Sequence, residues 1–179
     1  MRFVDLLKAT VMLSAGAATM LGIVTVVAAS QELDDTLVIV AAGWWFVAVV
    51  VGGWVGRRAQ ASPPIARLLA ASKTATMMPE HRPAAVLVNR LWPLLVSTVA
   101  AGAVGFLIPQ VSAIATGFAI IWALAWRRQD SAVVAIEERD GVTFYVEPTS
   151  PVRPLELVRT PGLRREVPSL NGVGPQPPG

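Results

Sequence analysis

Residues 36–56 read TLVIVAAGWWFVAVVVGGWVG and contain no ionisable side chain. A helix crosses the hydrocarbon core of a bilayer with about 20 predominantly apolar residues, so this stretch has the length and composition of one transmembrane helix. Residues 9–29, ATVMLSAGAATMLGIVTVVAA, share both properties. Both stretches are therefore predicted to span a membrane.

A third charge-free region runs from Leu91 to Trp126 and is much too long for a single span. It is interrupted near its centre by Ile-Pro-Gln at 108–110. We predict two spans, 91–108 and 111–126, joined by a tight turn. Both are short, so a re-entrant hairpin that enters and leaves on the same side of the membrane is the alternative.

The predicted fold class is an all-α integral membrane protein, with four transmembrane helices in two antiparallel hairpins and a small β-hairpin as its cytosolic tail. A hydrophobic content of 54% with only 15% charged residues lies outside the balance usual for a soluble domain. A cleaved signal peptide, with Val27 and Ala29 before the cut, would leave three spans. The uncharged run at 9–29 is longer than the about 7–15 apolar residues of such a signal, which favours an uncleaved helix.

The distribution of basic residues predicts the orientation, because Lys and Arg in short loops collect on the cytoplasmic side. Segment 30–35 has three acidic residues and no basic one, and all 15 basic residues fall on the other side of the predicted topology. Both termini are therefore expected in the cytoplasm, and the protein is expected to be a multi-pass protein of the inner (plasma) membrane. The abundance of Arg, Ala, Val and Gly is typical of a bacterial protein from a GC-rich genome.

The segments between and beyond the spans complete the predicted organisation. A basic loop at 57–90 is predicted to contain an amphipathic helix, with Ser62 as its N-cap, Pro63 in its first turn and apolar residues at helical spacing from Ile65. That helix would lie on the membrane surface or pack on the tail. The other segments are a cytosolic N-terminus at 1–8, a short external loop at 30–35, a cytosolic β-hairpin at 127–147 and a Pro-rich, largely disordered tail at 148–179.

The hairpin prediction depends on Asp140-Gly141, a dipeptide suited to a type I′ turn, between SAVVAIEE and VTFYVEP. An isolated two-stranded hairpin is only marginally stable in water. Residues 155–159 could add a third strand, or the hairpin could pack on the inner loop, on the membrane, on a second copy or on another protein. This incomplete core predicts a protein partner or self-association through the hairpin.

Basic residues beside the predicted spans are candidates for contact with anionic lipid headgroups, which makes membrane lipids the expected partner. Loops of this kind are far more often orientation signals than nucleic-acid grooves, so no nucleic-acid partner is expected. The candidate headgroup contacts are Arg57, Arg58, Arg67, Lys73, Arg127 and Arg128.

Small residues at four-residue spacing are candidates for helix packing, because helices in lipid associate through close backbone approach. Such rows arise easily by chance in a chain rich in Ala and Gly. The candidate packing residues are Ser14, Ala18, Gly22, Gly52, Gly56, Ala101 and Gly105.

The sequence has few candidates for catalytic or metal-binding residues. It has no cysteine, the predicted spans hold no ionisable residue, and His81 is its single histidine. No nucleotide-binding, zinc-protease or serine-hydrolase motif is present. We therefore expect no catalytic residues, no cofactor and no metal. The expected function is that of a non-catalytic membrane protein acting as a structural, assembly or interaction partner, with a homo-oligomeric transport or channel component, or a lipid-binding protein, as the alternatives.

Overall fold

The computed structural model describes residues 1–32, 35–57, 61–74, 83–147 and 155–161. It is mostly helical, with a small three-stranded sheet near its C-terminal end. In chain order, the elements are α1 (Phe3–Glu32), α2 (Asp35–Val55), α3 (Pro63–Ala70), β1 (Lys73–Thr74), α4 (Pro83–Gly105), α5 (Pro109–Trp126), α6 (Gln129–Asp140), β2 (Val142–Val146) and β3 (Leu157–Pro161).

Four helices of the described chain, α1, α2, α4 and α5, are long and apolar enough to cross a membrane. This agrees with the predicted number of apolar helices. The helix boundaries differ in detail: α1 begins well before residue 9, and α4 begins at Pro83 and ends at Gly105, whereas its predicted span was 91–108. Proline at the first position of a helix is favourable because that N–H has no intrahelical acceptor, and both α4 and α5 begin with proline.

Helix α5 is the centre of the bundle. It packs most extensively on α1 and α2, whereas α1 and α2, which follow each other in the chain, contact each other far less. Helix α4 lies against α1 and α5. The first two helices are therefore held in place mainly by α5 rather than by each other, and the outer faces of the bundle carry exposed Val, Ile and Phe side chains.

The remaining elements, together with the starts of α1 and α4, form a small domain at one end of the bundle, which we call the cap domain. It comprises residues 3–7 of α1, α3, β1, the start of α4, α6, β2 and β3. One hydrophobic cluster joins most of these elements. Its fully or nearly fully buried members include Phe3, Ile65, Val86, Val133 and Val146. Residues from both ends of the described chain and from the loop between α2 and α4 thus share one core.

The predicted β-hairpin at 127–147 is wrong. Residues 129–140 form α6, and Gly141, with φ of 62°, ends that helix as its left-handed cap, with its N–H donating to the Glu137 carbonyl. A positive φ at glycine suits a helix C-terminus as well as a type I′ turn, so Asp140-Gly141 did not distinguish them. The helical spacing of the inward face was the overlooked signal: Gln129, Ala132, Val133 and Glu137 are buried, and Ile136 is half-buried.

The strand after α6 pairs with a distant segment instead of with its neighbour. In the sheet, β3 is central, antiparallel to β2 and parallel to β1. The prediction of a largely disordered tail is therefore wrong at Leu157–Pro161, which overlaps the third strand considered for residues 155–159. The rest of 148–179 lies outside the described residues, apart from 155–156.

Helix α3 follows the predicted amphipathic pattern within the loop. Ile65 and Leu69 are buried and Leu68 packs against the same cluster, so the apolar face is turned onto the cap domain. This packing matches one of the two predicted placements, the one on the tail. Lys73, in β1, adds an ion pair across the sheet because its Nζ lies 2.7 Å from Glu156 Oε2. Hydrogen bonding to Glu156 raises the pKa of Lys73.

Candidate functional site

Most of the small residues proposed for helix packing lie inside the bundle. A Cβ added at Gly52 would lie 3.0 Å from Ile121 Cα and from Leu124 Cβ, and one added at Gly56 would overlap the Leu124 carbonyl. The GxxxG row of α2 therefore lies directly against α5 of the same chain.

The other rows have less uniform positions. A Cβ on Gly105 would lie 2.6 Å from Ser112 Cβ, where α4 turns into α5. Ser14 is buried, whereas Ala18, Gly22 and Ala101 are half-buried and line open clefts between helices. Sequence spacing alone does not distinguish the small residues at helix contacts from those that line clefts.

Polar side chains connect α1, α2 and α5 within the bundle. The hydroxyls of Thr25 and Ser112 lie 2.9 Å apart, and the indole N–H of Trp45 donates to the Ala113 carbonyl at 2.9 Å. The indole of Trp44 makes a longer bond, 3.3 Å, to the Ile114 carbonyl. Water does not compete for hydrogen bonds within an apolar environment. These bonds therefore fix the positions of α1 and α2 along the axis of α5.

We expect Trp45→Phe to destabilise the bundle by about 0.6 kcal/mol and by no more than about 1.7 kcal/mol, the average and the maximum for one hydrogen bond between helices in a membrane. The substitution keeps an aromatic ring but removes the donor to Ala113. The midpoint of thermal unfolding in detergent measures the effect. Trp54→Phe is the matched control, because Trp54 lies on the same helix and its side chain is 71% exposed. Equal shifts of the unfolding midpoint for the two variants would contradict a stabilising role of the hydrogen bond from Trp45 to Ala113.

Glu137 connects the two ends of the described chain within the cap domain. Its carboxylate, 6% exposed, accepts a hydrogen bond from Arg2 at 2.8 Å and a second from the backbone N–H of Phe144 at 2.9 Å. The bond to Glu137 raises the pKa of Arg2. Beside it, the N–H of Val146 donates to the Met1 carbonyl at 3.0 Å. These bonds cover the outer edge of β2 with the start of the chain.

The candidate headgroup residues do not form one patch. Arg57, Arg127 and Arg128 are exposed where α2 and α5 end, and Arg128 Nη1 donates to the Arg57 carbonyl at 3.1 Å. Arg67 is exposed on α3, and Lys73 is paired with Glu156. Arg58 lies outside the described residues. The structure therefore brings three of the six residues together, at the junction of the bundle and the cap domain.

A cleft of about 550 Å³ lies at that junction, between the end of α2, the start of α3 and the segment that joins α5 to α6. Its walls are largely apolar and include the stacked rings of Trp122 and Trp126, whose centroids are 5.4 Å apart. The polar lining residues are Ser62 and Gln129. Gln129, 8% exposed, accepts a hydrogen bond from the Ser62 N–H through its side-chain oxygen at 2.9 Å.

Two further clefts open on the sides of the bundle. One, of about 530 Å³, is lined by residues of α1, α2 and α5, including Gly22 and Trp45. The other, of about 420 Å³, lies between α1, α4 and α5 and includes Ser14, Ser97 and Thr98. The hydroxyls of all three residues donate to carbonyls of their own helices. None of the described residues that line these two clefts carries a charge.

Among residues 1–32, 35–57, 61–74, 83–147 and 155–161, no cluster of three or more His, Asp or Glu side chains is arranged to hold a metal ion. His81 lies outside these ranges. Comparison with models of protein families, with curated proteins and with solved structures found no match for the chain.

Proposed function

We propose that the protein is a non-catalytic, multi-pass protein of the inner (plasma) membrane that acts as an assembly or interaction partner through its cap domain. Both termini lie in the cytoplasm in this proposal, as the distribution of basic residues favours. The cap domain is then the part of the protein that cytoplasmic or membrane partners meet.

The observation that carries the proposal is the construction of the cap domain. Three separate segments of the chain, which flank the four apolar helices, are joined around one core and by the Glu137 contacts. At the opposite end of the bundle, α4 and α5 are connected by only residues 106–108. The larger folded surface is therefore on the cap side.

The outer face of α6 is the surface we assign to the interaction. Ser131, Ala135 and Glu138 are exposed at the spacing of one helix face, opposite the buried face that packs on the core. Strand β2, which belongs to the predicted hairpin, is less suited to a partner, since Phe144 is 3% exposed and β2 is paired on one edge and bridged to Arg2 on the other.

Photo-crosslinking in cells tests the proposal. A photoreactive residue at Ala135 or Glu138 is expected to capture the same protein from both positions, whereas one at Gln110, exposed at the far end of the bundle, captures none of it. Mass spectrometry identifies the product. Capture of lipid alone from α6 would contradict the proposal, and so would transport of a solute by the purified protein in liposomes.

The homo-oligomeric alternative receives less support from the packing. The GxxxG row of α2, which would be the natural contact between copies, is already occupied by α5 of the same chain. A path enclosed by several copies would need other surfaces.

A further inference from the structure

The cleft at the junction of bundle and cap domain has the position of a lipid site. Val55 ends α2 and Trp126 ends α5, so the cleft lies at the level where the apolar helices stop. Val55 and Trp122 are about half exposed on the outer face of the bundle, so the cleft can be entered from the side. Stacked indoles at such a boundary suit the headgroup level of a bilayer.

The lining of the cleft combines apolar walls with a polar group, as a phospholipid combines acyl chains with a polar region. The indoles, Val55, Ala125 and the rings of Pro63 and Pro64 provide apolar walls. The hydroxyl of Ser62 is completely buried there and has no hydrogen-bond partner in the described chain. A buried hydroxyl without a partner costs stability, and rotation about the Cα–Cβ bond would turn it into the cleft, where an ester or glycerol oxygen of a lipid would supply that partner.

Three arginines lie next to the lining residues in the chain. Arg57 follows α2 by two residues, and Arg127 and Arg128 lie between the lining residues Trp126 and Gln129. None of the three guanidinium groups forms an ion pair with a described acidic residue, whereas Arg2, Lys73 and Arg139 each do. Guanidinium groups bind phosphate oxygens with particularly favourable geometry.

We propose that this cleft binds an anionic phospholipid, with part of one acyl chain against Trp122 and Trp126 and the phosphate at Arg57, Arg127 and Arg128. The Ser62 hydroxyl bonds an oxygen of the glycerol ester region. The cleft volume lies within the range of about 300–1,000 Å³ found for small-molecule sites. This site is independent of the protein interaction assigned to α6.

Native mass spectrometry of the full-length protein tests the site. The protein is reconstituted in vesicles of equal phosphatidylglycerol and phosphatidylcholine, extracted gently, and the ratio of the two retained lipids is measured. We expect the wild type to retain phosphatidylglycerol selectively. The double variant Arg127→Gln/Arg128→Gln should lower that selectivity about fivefold for each arginine removed, as expected for a cation near an anionic lipid surface.

Two comparisons make the test specific. Arg159→Gln removes an exposed arginine on β3 and should leave the lipid ratio unchanged. Ala125→Phe fills the cleft and should reduce retention of both lipids. The arginine variants alter exposed side chains, so they carry the test even if Ala125→Phe does not fold. Equal retention of the two lipids by the wild type, or an equal effect of Arg159→Gln, would overturn the proposal.

Discussion

Leucine at Gly52 is expected to separate α2 from α5 and to destabilise the bundle by about 1–3 kcal/mol or more, as overpacking does in a dense interior. Even a single added carbon would lie 3.0 Å from the Cα of Ile121 and 3.0 Å from the Cβ of Leu124. A neighbouring backbone cannot move aside as the end of a flexible side chain can, so relief requires displacement of the whole helix. Thermal unfolding in detergent measures the loss.

Gly53→Leu is the matched control for this experiment. Gly53 is the next residue of the same helix, has the same intrinsic cost in an α-helix and has no atom within 4 Å of the position of an added Cβ. We therefore expect Gly53→Leu to leave the unfolding midpoint near that of the wild type. A similar loss in both variants would mean that the larger side chain itself, and not contact with α5, decides the effect, because helix propensity favours leucine over glycine and would act in the opposite direction.

The second large effect is expected for Glu137→Ala. The substitution removes the acceptor of the buried Phe144 N–H and the ion-pair partner of Arg2. A buried donor left without an acceptor costs about 1–3 kcal/mol. Arg2 is 48% exposed and regains water, so its lost partner adds less. We expect faster amide hydrogen exchange in β2 and in the first turn of α1, with the rest of the four apolar helices unaffected.

Glu138→Ala provides the comparison for Glu137. The two carboxylates are adjacent on α6, but Glu138 is exposed. Its removal should leave exchange at Phe144 unchanged. If both variants increased exchange equally, loss of negative charge from α6, rather than the specific bonds of Glu137, would be responsible.

The apolar helices could be predicted because length and hydropathy are sufficient to identify them. Stretches such as 36–56 contain no charge and match the thickness of a bilayer, so length and composition are sufficient. The precise ends could not be predicted in the same way. Helix α1 begins at Phe3 because its first residues pack in the core of the cap domain, and hydropathy does not predict such a tertiary contact.

Helix α6 shows why the second half of the fold was harder to predict. The run from Ala132 to Ile136 is rich in β-branched residues, which favour strands, yet tertiary burial of one helical face decides its structure. Periodicity at Gln129, Val133 and Glu137 was visible in the sequence, although two of these three are polar. Their burial follows from specific partners, Ser62 and Arg2, far away in the chain.

The sequence predicts where the arginines near the candidate site lie in the chain, but it does not predict the cleft. Headgroup contact by the arginines beside the helix ends stays a prediction, and the structure places Arg57 and Arg128 in contact with each other. The cleft itself depends on how α3 approaches the α5–α6 junction through Ser62 and Gln129. No local pattern specifies that approach.

The contact between the Met1 carbonyl and the Val146 N–H has a consequence for biosynthesis. The first residues of α1 leave the ribosome before all four apolar helices, whereas their partners in β2 and β3 leave after them. Phe3 and Val4 therefore remain incompletely covered until β2 and β3 have been made. A nascent chain arrested before Val142 would contain all four apolar helices but expose this apolar surface, and so remain recognisable to proteases and chaperones as incompletely folded.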